Sequence, residues 1–119
     1  MKGIMILANG FEDTEALATH DILKRSSLDV DMVSINETKE VVSQYHLHLK
    51  LEKTLKEAKL AEYDFLVIPG GGAVKKVLQG NPKIKEVIAY FVSKKKLVAT
   101  ICAAPSLSLI HISEPTRPY

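Results

Sequence analysis

Cysteine occurs once in the 119 residues, so the chain has no internal disulfide to staple it. A lone thiol fits a reducing, cytoplasmic setting, where it is either an inert core residue or a nucleophile. A charge surplus is also missing. Sixteen Lys and Arg stand against fourteen Asp and Glu, a net charge of +2, too weak a field to hold nucleic acid or an anionic membrane. The one basic cluster, Lys94-Lys95-Lys96, reads as the solvated end of a helix, where cations suit the dipole. Long apolar runs are lacking as well. Ile4 to Ala8 falls short of the roughly 7–15 residues of a signal-peptide core, and no run approaches the roughly 20 residues of a membrane span. The four histidines and the cysteine show no zinc-ligand spacing, so no metal site is expected.

What is present is the composition of a globular domain, 46% hydrophobic and 25% charged, with a small core at this length. Ile4 to Leu7, closed by Asn9-Gly10, reads as a buried parallel strand and a turn. Glu12 to Arg25 reads as a helix: Ala16, Leu17, Ile22 and Leu23 lie at helical spacing, and Glu12, Asp13 and Glu15 crowd its first turn. Val30 to Ile35 is a second strand, and Glu40 to Leu51 holds one or two more. From His46 to Leu51 the alternation is strict, so Leu47, Leu49 and Leu51 are expected inward and His46 and His48 outward. Lys53 to Lys59 reads as a short polar helix. Phe65 to Ile68 is another apolar strand, ended by Pro69-Gly70-Gly71-Gly72, and Val74 to Leu78 gives a helical turn or two. Pro82 opens a helix carrying Ile84, Val87, Ile88 and Phe91, and Leu97 to Ile101 is the last strand. Strands alternating with helices imply βαβ units, a mostly parallel sheet and helices on both faces.

The final residues break this rhythm. All lysines precede residue 97, and Leu107 to Tyr119 carries two prolines close together that would stop a helix begun at Ala103. The string also looks like the translation of a transposase mosaic-end adaptor from sequencing libraries. We therefore expect one domain over residues 1–106 and a non-native tail over 107–119.

Cys102 falls between an apolar strand and the run Ala103-Ala104-Pro105-Ser106, which can open a helix. A nucleophile on such a turn is exposed at the carboxyl edge of the sheet, and a helix N-terminus beneath it favours the thiolate. The Ala103 N–H would then face an oxyanion. A buried structural cysteine at a strand end is the equal alternative. Pro69-Gly70-Gly71-Gly72 follows another strand at the same edge. It is neither a phosphate loop nor a dinucleotide fingerprint, but beside a cysteine turn it becomes an oxyanion wall, with Gly71 N–H as donor and Gly70 and Gly72 in support. Glu15 lies in the first turn after the first strand, at that edge too. An acid shielded beside a thiol keeps its proton and can donate to the thiolate. Glu12 and Asp13 read as plain first-turn acids.

Three segments carry a resemblance: Leu7-Ala8-Asn9-Gly10-Phe11-Glu12-Asp13-Thr14-Glu15, Asp64-Phe65-Leu66-Val67-Ile68-Pro69-Gly70-Gly71 and Val98-Ala99-Thr100-Ile101-Cys102-Ala103-Ala104-Pro105. In this order and spacing they resemble the ThiJ/PfpI superfamily, in the branch of the parkinsonism-associated deglycase, from Met1 to Ser106. The resemblance implies a flavodoxin-like three-layer sandwich, incomplete here on its C-terminal side. It implies Cys102 as nucleophile or redox thiol, Glu15 as its acid partner, and Gly71 and Ala103 as backbone donors, with no cofactor. The implied activity of the complete protein is a glyoxalase or deglycase hydrolysis of small α-oxoaldehydes or their early adducts on proteins, by a homodimer. An oxidative-stress sensor or chaperone that works by Cys102 oxidation is the alternative. An amidotransferase-like hydrolase ranks lower, because it does not call for Glu15. The family often completes its site with a histidine after the cysteine's helix. The sequence stops before that loop, and the role is not carried to His111 in the tail or to His20, His46 or His48. The 119-residue chain by itself is expected to be inactive and prone to aggregate.

Overall fold

The computed structural model describes residues 1–72 and 80–101. The first strand, β1 (Lys2–Leu7), is buried from Gly3 onward. Gly3 pairs with Phe65, and a β-carbon on Gly3 would lie 2.2 Å from the Phe65 ring, so the close strand approach depends on a missing side chain. Helix α1 (Asp13–Arg25) is capped by Glu12, whose carboxylate accepts the Glu15 N–H at 2.7 Å. It ends in a Schellman arrangement, with Ser27 at φ 65° and the Leu28 N–H returning to the Leu23 carbonyl. Of its apolar residues Ala16 is fully buried, whereas Ile22 is exposed.

Strand β2 (Asp29–Ser34) pairs with β1 in parallel. The antiparallel hairpin β3 (Glu40–Val42) and β4 (His48–Lys50) follows, then the two-residue strand β5 (Lys53–Thr54), parallel to β2. Two expectations fail here. Leu47 is exposed, because residues 43–47 form the hairpin turn and strand geometry starts only at His48. Lys53 to Lys59 is no helix. Lys53 and Thr54 join the sheet, and two 3₁₀ turns follow at Leu55–Glu57 and Leu60–Glu62. Thr54 and Glu57 form a reciprocal capping box that closes the first turn at once, and Thr54 bonds hold the Glu57 carboxyl below its usual range.

Strand β6 (Phe65–Ile68) is buried throughout and pairs with β1. Helix α2 (Pro82–Ser93) has Asn81 as N-cap, Pro82 in its first turn, and Ile84, Val87, Ile88 and Phe91 buried along one stripe. Each of those side chains contributes about 1.5–3 kcal/mol of apolar burial. Lys94-Lys95-Lys96 is indeed the helix end: Lys94 is the C-cap, Lys95 is left-handed at φ 57°, and the Lys96 N–H returns to the Phe91 carbonyl. Lys96 Nζ also donates to the Tyr63 carbonyl at 2.6 Å. Strand β7 (Leu97–Thr100) pairs in parallel with β6.

The sheet order is β5-β2-β1-β6-β7, all pairs parallel. Ile4, Ile6, Leu66 and Ile68 pack with α2 on one face, and Met5, Leu7, Phe65 and Val67 pack towards α1 on the other. This is the three-layer, flavodoxin-like arrangement. The helical turn expected from Val74 to Leu78 lies outside the described residues. Among the described residues no helix is long and apolar enough to cross a membrane.

Candidate active site

The strand order reverses between β1 and β6: α1 carries the chain from β1 outward to β2, while α2 carries it from β6 the other way to β7. The connections leaving the carboxyl ends of β1 and β6 therefore diverge and open a crevice, the place where open α/β sheets bind ligands. Its walls are the turn Asn9 to Glu12 and the glycine loop Pro69 to Gly72.

The two walls are laced together. Phe11, 1% exposed, anchors the first turn in the core, and forms an antiparallel bridge with Gly71. The Glu12 N–H donates to the Gly70 carbonyl at 3.0 Å. Gly71 sits at φ +106°, and a β-carbon there would come within 2.5 Å of the Glu12 nitrogen. Only glycine fits that conformation and that space.

Glu15 is half-buried, and its Oε1 accepts the Gly70 N–H at 2.9 Å. The acid singled out from the sequence thus touches the glycine loop singled out from the sequence, 55 residues away. Glu12 and Asp13 do other work. Glu12 is the helix cap, and Asp13 Oδ2 accepts the Ser43 hydroxyl at 2.6 Å while its Oδ1 accepts the Tyr45 N–H at 3.2 Å.

The hairpin's part in this edge was missed from sequence. Asn9 Oδ1 accepts the Val42 N–H at 3.0 Å, the Gly10 N–H reaches the Val42 carbonyl, and Gln44 Oε1 accepts the Gly72 N–H at 3.1 Å. Polar residues in a turn carry no periodic signal, so nothing in the pattern pointed to Ser43 or Gln44. A cleft of about 540 Å³ lies here, lined by Asn9, Gly10, Ser43, Gln44, His46 and Gly72. His46 is exposed, as expected, but in the turn at φ 70° rather than on a strand. His48 is exposed on β4, and His20 lines a separate cleft with Lys24, Asp29 and Lys50. Cys102, Ala103 and His111 lie outside the described residues. Among the described residues no three His, Cys, Asp or Glu side chains are grouped to hold a metal ion.

At the opposite edge Asp31 joins Lys2, Lys53 and Tyr63. The Tyr63 hydroxyl donates to Asp31 Oδ2 at 2.6 Å, and the two ammonium groups stand 3.5 and 3.3 Å from the same oxygen. Burial pushes the Asp31 carboxyl up, but the Tyr63 hydrogen bond and the two lysines outweigh it and hold it below the usual range. Burial, then the Asp31 bond, push the Tyr63 hydroxyl far above its ordinary value.

A doubly wound α/β sheet with a glutamate bonded to a glycine loop at its switch point is the architecture, and the comparisons supply the family. The DJ-1/PfpI family model matches residues 1–113, and the chain belongs to that family. It is 33% identical to the deglycase PfpI of Pyrococcus furiosus, over 90% of this chain and 63% of that protein. It is 30% identical to the glutathione-independent glyoxalase DJ-1 of Schizosaccharomyces pombe, over 87% of this chain and 58% of that protein. The oxidised DJ-1 of Toxoplasma gondii superposes with a TM-score of 0.85 at 25% identity, over 92% of this chain and 60% of that one. The chain thus spans about three-fifths of the length of these relatives.

Proposed function

We propose that the chain is the nucleophile-bearing part of a cofactor-free, cysteine-dependent hydrolase of the glyoxalase or deglycase type, acting on α-oxoaldehydes or their early adducts on proteins as a homodimer. The observation that carries this reading is the 2.9 Å bond from the Gly70 N–H to Glu15 Oε1, which sets an acid and a glycine wall side by side where the sheet opens. The names of the Pyrococcus and Schizosaccharomyces relatives support the substrate class.

In this reading the Cys102 thiolate attacks the aldehyde carbon of methylglyoxal, and the carbonyl electron pair moves onto oxygen. The N–H groups of Gly71 and Ala103 meet that oxyanion, which takes the proton of Glu15 to give a hemithioacetal and leaves Glu15 a carboxylate. Glu15 removes the proton from the former aldehyde carbon and returns one to the neighbouring keto carbon, leaving a thioester of a 2-hydroxy acid. Water then cleaves the thioester and restores the thiol. Methylglyoxal plus water becomes lactate, one carbon oxidised and its neighbour reduced, so no external redox partner is required.

The oxidised Toxoplasma relative favours a second reading, in which Cys102 is a sensor converted by peroxide to a sulfinate held by Gly71 and Glu15. We further propose that the native domain runs through Ser106 and that residues 107–119 derive from an adaptor. The test is to read the source DNA past the Ser106 codon and assay the encoded protein. Saturable methylglyoxal consumption, lost in Cys102→Ser and Glu15→Gln, supports the enzyme. A stable gain of two oxygens at Cys102 without turnover supports the sensor. A genome that encodes Leu107 to Tyr119 and then a stop refutes the adaptor origin.

A further inference from the structure

Three consecutive glycines are the most costly backbone to hold in one conformation, so what orients the donor N–H of Gly71 is a separate question from what catalyses. Both peptide planes flanking the Gly71 α-carbon are tied from outside the loop. On the plane joining Gly70 to Gly71, the Gly70 carbonyl accepts the Glu12 N–H at 3.0 Å. In a trans peptide the N–H points opposite to the carbonyl, so this bond turns the Gly71 N–H away from Glu12. On the plane joining Gly71 to Gly72, the Gly72 N–H donates to Gln44 Oε1 at 3.1 Å. The first tie is backbone and survives any side-chain change; on the second plane the Phe11–Gly71 bridge also turns the Gly72 N–H towards the Gly10 carbonyl, and the Gln44 amide oxygen is the acceptor at hydrogen-bond distance.

Gln44 is itself fixed. Its own N–H donates to the Phe11 carbonyl at 2.8 Å, and its neighbour Ser43, buried to 3% exposure, is bonded to Asp13 at 2.6 Å. The hairpin is thereby clamped to the turn that leads into α1, and the amide oxygen reaches the glycine loop from a held base. Gly70 N–H and Gly72 N–H both have side-chain acceptors, Glu15 and Gln44. Between them the Gly71 N–H has no acceptor among the described residues.

We infer that Gln44 is a positioning residue for the proposed chemistry: acting through Gly72, it holds the Gly71 peptide in the orientation that presents its N–H to the reacting oxygen. The inference rests on the functional reading above.

The test uses Gln44→Met, which keeps the length and removes the amide oxygen, and Gln44→Glu, which keeps an acceptor at the same reach. In the protein that the source DNA encodes, Gln44→Met should lower kcat for methylglyoxal about tenfold or more, with KM changed less than about twofold and the thermal midpoint unmoved. Gln44→Glu should restore most of the lost kcat. Wild-type kcat in Gln44→Met, or a loss that follows the folded fraction and is not rescued by Gln44→Glu, overturns the inference. If the wild type shows no turnover, the enzyme reading fails by itself, and the rate of Cys102 sulfinate formation under limiting peroxide decides instead. A fall of about threefold or more in Gln44→Met upholds the role of Gln44, and an unchanged rate overturns it.

Discussion

A β-carbon on residue 71 would stand 2.5 Å from the Glu12 nitrogen and 2.7 Å from the Gly10 oxygen, both backbone atoms that cannot swing aside. Gly71→Ala is therefore expected to cost about 1–3 kcal/mol and to part the two walls of the crevice. Gly72→Ala, whose nearest such contact is 4.0 Å, is the internal control and should cost well under half as much in the same urea titration. A second prediction concerns the opposite edge. The Asp31 carboxyl is depressed in the folded state, so its contribution is whole above its unfolded value near 3.8 and is lost as pH falls through the lower folded value. Tyr63 is raised, so its contribution is whole below its unfolded value of 10.0 and is lost as pH rises beyond it. Urea midpoints measured against pH should show a shallower acid limb in Asp31→Asn and a shallower alkaline limb in Tyr63→Phe. The Tyr63–Asp31 bond joins residues 32 apart and left no mark in the sequence, because one tyrosine and one aspartate have no spacing to read.

At the scale of elements, both helices end the same way, each with a non-glycine residue in the left-handed region: Ser27 at φ 65° and Lys95 at φ 57°. That conformation costs an L-residue about 1 kcal/mol, a cost glycine does not bear. Lys95 is exposed, so Lys95→Gly should raise stability by up to about 1 kcal/mol, read as a higher thermal midpoint. The helices and long strands were legible because burial repeats along them. Ile84, Val87, Ile88 and Phe91 mark α2, and the unbroken apolar runs mark β1 and β6. The same logic failed at Leu47, where alternation continued into a turn whose shape is set by the Ser43 and Asp13 side chains. It failed again at Lys53 to Lys59, where the Thr54–Glu57 capping box closes a single turn and β2 draws Lys53 and Thr54 into the sheet. Of the candidate site, Glu15 and the glycine loop were legible because both sit just past strand ends. Gln44 was not, because its role depends on how the hairpin folds back over α1.

For the whole molecule the decisive feature is that the two long crossovers lie on opposite faces of the sheet. Right-handed connections put α1, running from β1 to β2, on one face and α2, running from β6 to β7, on the other. Over β6 and β7 on the α1 face, no helix follows among the described residues. An apolar cleft of about 200 Å³ opens there, lined by Leu23, Leu28, Phe65, Val67, Ala99 and Ile101. Leu97 stands at its rim, 64% exposed, on a strand that pairs only with β6 among the described residues. An apolar face beside a strand edge favours self-association. The 119-residue chain should therefore bind an apolar dye such as ANS and grow in light-scattering mass with concentration, and Leu97→Lys should reduce both by placing a charge at the rim. A chain that stays monodisperse and dye-silent, or a Leu97→Lys variant that changes neither reading, would overturn the open apolar face.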